Sequence, residues 1–158
     1  NNPFNNFAKL NIENPLLRSG IALAGANAKG DLDERSDDGL ATAMELSGMD
    51  LRVTDLVILS ACDTGVGKNR KGQGVIGLRR AFQQAGARSL VMSLWKIPDK
   101  ETKDLMIEFY NRLKTGKPKL TALREASLSA MQATKDKTGS THPFYWGRFI
   151  LVGDPGLN

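Results

Sequence analysis

The order of elements along the 158-residue chain predicts an α/β fold, with a mainly parallel central sheet flanked by helices. Three observations carry this. Asp55-Leu56-Val57-Ile58-Leu59-Ser60 and Ser89-Leu90-Val91-Met92-Ser93-Leu94 are short apolar runs with the length and branching of buried strands. Segments of helical period, closed by glycines, lie between and after them. A third apolar run, Phe149-Ile150-Leu151-Val152, ends the series.

Taken in order, residues 1–14 are Asn-rich and weakly patterned and read as a loop or a fragment end. Leu16 to Ala26 holds the apolar run Ile21-Ala22-Leu23-Ala24, a short strand. Lys29 to Gly39 is an acidic loop, and Leu40 to Leu46 reads as a short helix capped by Asp38. After the first buried strand, Asp63 to Gly74 holds Gly65, Gly67, Gly72 and Gly74, the composition of a surface loop. Val75, Leu78, Ala81, Phe82 and Ala85 fall at helical spacing, with Gly86 as the stop. Pro98 opens a helix running to about Leu113, with an apolar face of Leu105, Met106, Phe109 and Leu113, and Gly116 ends it. Pro118 opens another, with Leu120, Leu123, Ala126, Leu128 and Met131 expected to face inward. Gly153-Asp154-Pro155 stops the last strand. Right-handed crossovers would place helices on both faces of the sheet. The whole chain, 1–158, reads as one domain.

Composition narrows the function classes. Hydrophobic residues make up 41% and charged residues 25%, the balance of an ordinary globular chain. No stretch reaches the ~18 consecutive apolar residues of a membrane span, and no secretory signal opens the sequence. One cysteine and one histidine leave no disulfide framework and no cysteine metal cluster, so neither metal nor cofactor is expected. A single thiol suits a reducing compartment, which points to the cytoplasm. The chain opens at Asn1 without an initiator Met and is read as part of something longer. Net charge is +5 and unevenly spread. Acids dominate from Asp31 to Asp55, and bases from Lys68 to Lys103. A basic block can bind phosphate. No aromatic residue sits among Lys68, Arg70 and Lys71, so a base-stacking nucleic-acid surface is not suggested.

Two glycine motifs fail on context. Gly72-Gln-Gly74-Val-Ile-Gly77 fits the dinucleotide fingerprint, but its first glycine stands twelve residues after the strand ending at Ser60 rather than directly after it. Gly65-Val-Gly67-Lys68 resembles a phosphate loop, yet Cys62 occupies the first glycine position and Asn69 the Ser/Thr position. Cys62 itself stands at the carboxyl end of the first buried strand, the edge where open α/β sheets place their ligand sites. Near Lys68 and Arg70 a thiol can act as a nucleophile. A small buried hydrophobe is the competing reading. His142, in Thr141-His142-Pro143-Phe144-Tyr145-Trp146, reads as a structural residue at a strand entrance, so residue chemistry alone leaves no complete catalytic pair.

Several segments together resemble the CHAT family of caspase-like cysteine proteases. They are Asn14-Pro-Leu-Leu-Arg-Ser-Gly-Ile-Ala-Leu-Ala-Gly-Ala-Asn27, Asp38-Gly-Leu-Ala-Thr-Ala, Leu59-Ser-Ala-Cys-Asp-Thr-Gly65, Gly74-Val-Ile-Gly-Leu-Arg-Arg-Ala-Phe82, Gly86-Ala-Arg-Ser-Leu-Val-Met-Ser-Leu-Trp95 and His142-Pro-Phe-Tyr-Trp146. They occur in the family's order from about Asn14 to Asp154. The family is mostly bacterial and often fused to preceding TPR repeats.

The resemblance implies a caspase-hemoglobinase fold, incomplete here at its amino end, and peptide-bond hydrolysis by a Cys–His dyad. Cys62 matches the nucleophile, and its backbone N–H would join the oxyanion site. The family's catalytic His lies upstream, in a His-Gly pair after the preceding strand, and no histidine precedes Cys62 here. His142 belongs to a late motif that is not the catalytic one. The expected base therefore comes from an upstream segment that carries the His, and a TPR region or regulatory protein is the expected partner. The substrate is a protein or peptide. Asp63, Trp95 and Asp99 are candidates for its pocket: either acid would favour Arg or Lys before the cut, whereas Trp95 would line an apolar pocket or serve only in packing. An inactive CHAT-like scaffold that docks other proteins is the alternative, and a basic nucleic-acid module the third.

Overall fold

The computed structural model describes residues 15–17, 19–24, 26, 39–60, 73–95 and 99–156. They form two compact units: one comprises the described residues up to 55 with 73–87, the other residues 56–60 with 88–156.

The first unit opens with a 3-10 turn at Pro15–Leu17 and strand β1 (Gly20–Ala22). Strand β1 pairs antiparallel with β2 (Leu40–Thr42), Ile21 opposite Ala41. At Gly20 a Cβ would lie 2.5 Å from the Ala41 carbonyl oxygen, so the close approach of the strands requires glycine. The sequence leads one to expect helix from Leu40. Instead α1 (Ala43–Ser47) begins after β2, because Thr42 and Glu45 close a reciprocal capping box. Thr42 Oγ1 accepts from Glu45 N at 3.2 Å, and Glu45 Oε2 accepts from Thr42 N at 2.7 Å. Asp38, the expected cap, lies outside the described residues. Helix α2 (Gln73–Gln84) packs on α1, and its period predicts its core face: Leu78, Ala81, Phe82 and Ala85 are buried, as are Ala43 and Leu46. Gly86 follows with φ +99°, and Leu51 N donates to Ala85 O at 2.8 Å.

The second unit is a three-stranded sheet in the order β3 (Val57–Leu59), β4 (Ser89–Ser93), β5 (Phe149–Gly153). Strand β4 is parallel to β3, with Leu59 beside Met92, and antiparallel to β5, with Val91 opposite Leu151. The expected parallel arrangement therefore holds for one pair and not for the other. The connection from β4 to β5 explains the difference. It holds two helices, α3 (Asp99–Lys114) and α4 (Lys119–Thr138). These run antiparallel, since Arg112 reaches Glu125 and Lys137 reaches Glu101. One helix returns the chain to the start of a strand. A second sends it back to the far end, and the next strand must run the other way.

The helix hairpin covers one face of this sheet. Val91 and Phe149 join Leu105 and Phe109 of α3 and Ala122, Leu123 and Ala126 of α4 in one buried cluster, with Ile58 and Leu151 against it. Two residues expected to face inward, Leu120 and Leu128, are exposed. The inward face is instead built by Ala122 beside the expected Leu123 and Ala126. At the hairpin, Arg112 Nε donates to Glu125 Oε2 at 3.1 Å and Arg112 NH2 to Ser129 Oγ at 2.9 Å. Lys117 also pairs with Glu125.

At the amino end of β4, Lys119 is nearly buried and donates to Ser89 Oγ at 3.1 Å, with Asp154 Oδ2 3.6 Å away. Ser89 Oγ donates to Asp154 O at 2.8 Å, and Asp154 Oδ1 accepts from Gly156 N at 2.8 Å. A buried ammonium needs such partners. The Gly153-Asp154-Pro155 stop is thus also the anchor of α4.

The Glu125 carboxyl is held below its ordinary value, first by its hydrogen bond to Lys117 and then by Arg112. A depressed folded value stabilises the fold above the ordinary value of 4.5 and loses that contribution as pH falls through the lowered one. Glu125→Gln should therefore melt below wild type at about pH 6, with the gap closing toward about pH 3. Thermal melts by circular dichroism across that range read this directly. A gap independent of pH would show that packing, not charge, holds the hairpin.

Candidate functional site

Parallel strands end at one edge. Because Leu59 lies beside Met92, β3 and β4 deliver their carboxyl ends together, and this is the edge where open α/β sheets gather ligand-binding residues. Both strands form for the same reason, a short branched apolar run, and every residue of β4 is buried. Cys62 follows Ser60 by two residues and Asp63 by three. Both lie outside the described residues.

Trp95 stands two residues beyond β4 at this edge and is half-buried. Its indole Nε1–H donates to the Phe144 carbonyl at 2.8 Å, and its ring stacks on the Phe144 ring with centroids 6.4 Å apart at 15°. The donor is therefore committed, and what Trp95 offers a ligand is an apolar ring. Asp99 opens α3 and is exposed, where a carboxylate complements the helix dipole.

The partner of Trp95 is a self-bonded hook. His142 Nδ1 accepts from Phe144 N at 3.2 Å and so caps the 3-10 turn Pro143–Tyr145. That bond puts the proton of the neutral ring on Nε2. Trp146 Nε1 donates to Thr141 O at 3.0 Å. The Tyr145 ring meets Phe144 edge-on at 5.2 Å. Beyond the hook, Leu94 N donates to Arg148 O at 2.9 Å, which binds the end of β4 to the entrance of β5. The Arg148 side chain is only 1% exposed, with its guanidinium 4.5 Å from the centre of the Phe149 ring.

Sequence reasoning placed Trp95 correctly at the strand end and His142 correctly as a structural residue. It missed Phe144, Tyr145 and Arg148. An aromatic cluster just before a strand was the available signal for the first two. A lone arginine at the border of an apolar run gives none.

Among the described residues no group of three His, Cys, Asp or Glu side chains is placed to hold a metal ion. Nor, among them, is any helix long and apolar enough to cross a membrane. The edge thus carries an apolar aromatic wall formed by Trp95 and Phe144.

Comparison with known proteins adds a family and two relatives. The CHAT domain matches residues 4–154. Human tetratricopeptide repeat protein 28 is 35% identical over 120 residues, which is 75% of this chain and 5% of that protein. The mouse protein of the same name is 34% identical over 121 residues, again 75% of this chain and 5% of that protein. The chain thus spans about 5% of the length of the curated relatives it matches. Both relatives are mammalian, whereas the resemblance leads one to expect mainly bacterial ones.

Replacing Trp95 by Phe keeps a ring and removes the donor. The lost bond to Phe144 should lower stability by about 1 kcal/mol, seen as a smaller urea midpoint with an unchanged slope. An unchanged midpoint would mean that ring packing alone holds this corner.

Proposed function

This chain belongs to the CHAT domain family, and from that premise we propose that it is the carboxyl-side portion of a caspase-like cysteine endopeptidase domain, with Cys62 as nucleophile. The observation that carries the reading is the shared carboxyl edge of β3 and β4, with Cys62 two residues beyond Ser60 and Trp95 two beyond Ser93.

On this reading a histidine from an upstream segment takes the proton from the Cys62 thiol. The thiolate attacks the scissile carbonyl carbon, and its double-bond electrons move to oxygen. Backbone N–H groups, that of Cys62 among them, hold the oxyanion; one such donor is worth on the order of a hundredfold in rate. The histidine returns the proton to the leaving amine, and water then cleaves the thioester. The upstream strand bearing that histidine would add along the outer edge of β3, where a parallel strand ends level with the nucleophile. The Trp95 ring forms an apolar wall of the substrate pocket, and Asp63 or Asp99 would favour a basic side chain before the cut. The TPR proteins to which the chain is similar support a setting in which attached repeats or a bound regulator control the site. The single thiol supports a cytoplasmic location.

One observation favours a second reading, a CHAT-like scaffold without catalysis. The single histidine of the chain caps a turn through Nδ1, so that nitrogen is not free to act as a base.

The parent protein, carried upstream past the family's His-Gly position, separates the two. Incubated with a mixed peptide library and read by mass spectrometry, it should cut peptides, and Cys62→Ala should reduce cutting by at least about a thousandfold. Equal activity of the two proteins, with the TPR region and candidate activators present, would overturn the peptidase reading in favour of the scaffold.

A further inference from the structure

Helix α3 turns Leu105 and Phe109 into the core and Arg112 toward α4. Its opposite face carries Lys103, Ile107, Tyr110 and Lys114, the i, i+4, i+7 and i+11 positions of one stripe. Ile107 is 46% exposed and Tyr110 47%. The Tyr110 ring leans on the buried Phe109 ring, with centroids 5.8 Å apart at 49°, which limits its freedom. Single exposed apolar residues are ordinary on a protein surface. Two on successive turns, with a lysine at each end, make a short apolar seam of the kind a facing helix covers.

The charges around the seam restrict what covers it. Lys100 is bound to Asp104 at 2.8 Å, and Arg112 to Glu108 and Glu125. Lys103 and Lys114 form no ion pair among the described residues, and both are exposed. Asp99, in the first turn, complements the helix dipole. A second copy of the chain fits poorly. Laid parallel, each lysine would meet its own copy, and laid antiparallel, Lys103 would meet Lys114, so like charges face each other either way. A lipid surface also fits poorly, because a helix lying in a membrane interface buries a broad apolar face and this seam is narrow.

We propose that the outer face of α3 docks an amphipathic, acidic helix of a protein partner. Its carboxylates, set about 16 Å apart, meet Lys103 and Lys114, and the apolar side chains between them cover Ile107 and Tyr110. Tyrosine is among the residues that dominate interface energies once desolvated. The site is independent of the peptidase reading, and its test needs no activity.

Fluorescence anisotropy with the parent protein and a labelled synthetic helix of about 20 residues tests it. The peptide carries two glutamates at the spacing of Lys103 and Lys114 and two leucines at the spacing of Ile107 and Tyr110. Wild type should bind it and not a scrambled peptide of the same composition. Ile107→Ala and Tyr110→Ala, both at exposed positions, should each weaken binding about tenfold. The double variant Lys103→Glu, Lys114→Glu should lose about as much. It should in turn bind the peptide whose glutamates are replaced by lysines, which a merely misfolded protein would not do. Melts verify that each variant folds. No binding by wild type, equal binding of the scrambled peptide, or unchanged affinity in the folded variants would overturn the site. Co-sedimentation with phosphatidylserine vesicles that Tyr110→Ala abolishes would make the face a lipid surface instead. A dimer in sedimentation that Ile107→Ala dissociates would make the occupant a second copy, and either result would overturn the acidic partner.

Discussion

Strand β4 is buried at all five of its residues, and the second unit is arranged around that fact. A strand shut away from water on both faces and both edges must satisfy every backbone group and both terminal serines within the protein. Strands β3 and β5 take up its two edges. The hairpin of α3 and α4 covers one face through Leu105, Phe109, Ala122 and Ala126. Ser89 at one end is bonded into the Lys119 and Asp154 cluster. The other end hands its next N–H, that of Leu94, to the Arg148 carbonyl. The two ends then differ in character. The amino end is closed by charge, where a buried ammonium would be costly without its partners. The carboxyl end is closed by the stacked rings of Trp95 and Phe144, and Phe144 remains exposed.

Much of this was legible in the residues. A short branched apolar run has few alternatives to a buried strand, and both strands that share the candidate edge lie within the segments expected. Glycine stops held for the same reason: Gly86 and Gly116 both take positive φ, which other residues resist. What was not legible falls into two kinds. Leu40–Thr42 forms β2 rather than helix because three residues carry no period to read. Only pairing with β1 decides their state. The inner face of α4 was misjudged at Leu120 and Leu128 because large apolar residues were assumed to point inward. Leu123 and Ala126 face inward as expected, and Ala122 joins them in the buried cluster.

The direction of β5 is a different case, because no local pattern encodes it. Direction follows from the number of helices in the connection, and both helices had been read correctly from the residues. The candidate site shows the same limit. Cys62 and Asp63 lie outside the described residues, while the position of Trp95 was plain from its distance to the strand. Its bonding was not, since the acceptor lies 49 residues away on Phe144. Long-range side-chain bonds of this kind leave no signature in spacing.

The fate of His142 bears on the chemistry. A histidine that serves a thiol must offer a free nitrogen lone pair toward the sulfur. In His142 the Nδ1 lone pair is already taken by the Phe144 N–H. Releasing it would uncap the turn that holds Phe144 beneath Trp95. The aromatic wall and a catalytic role for this histidine are therefore in competition, and the structure resolves it in favour of the wall. On the peptidase reading, the histidine base for Cys62 is therefore not His142, the one histidine of this sequence.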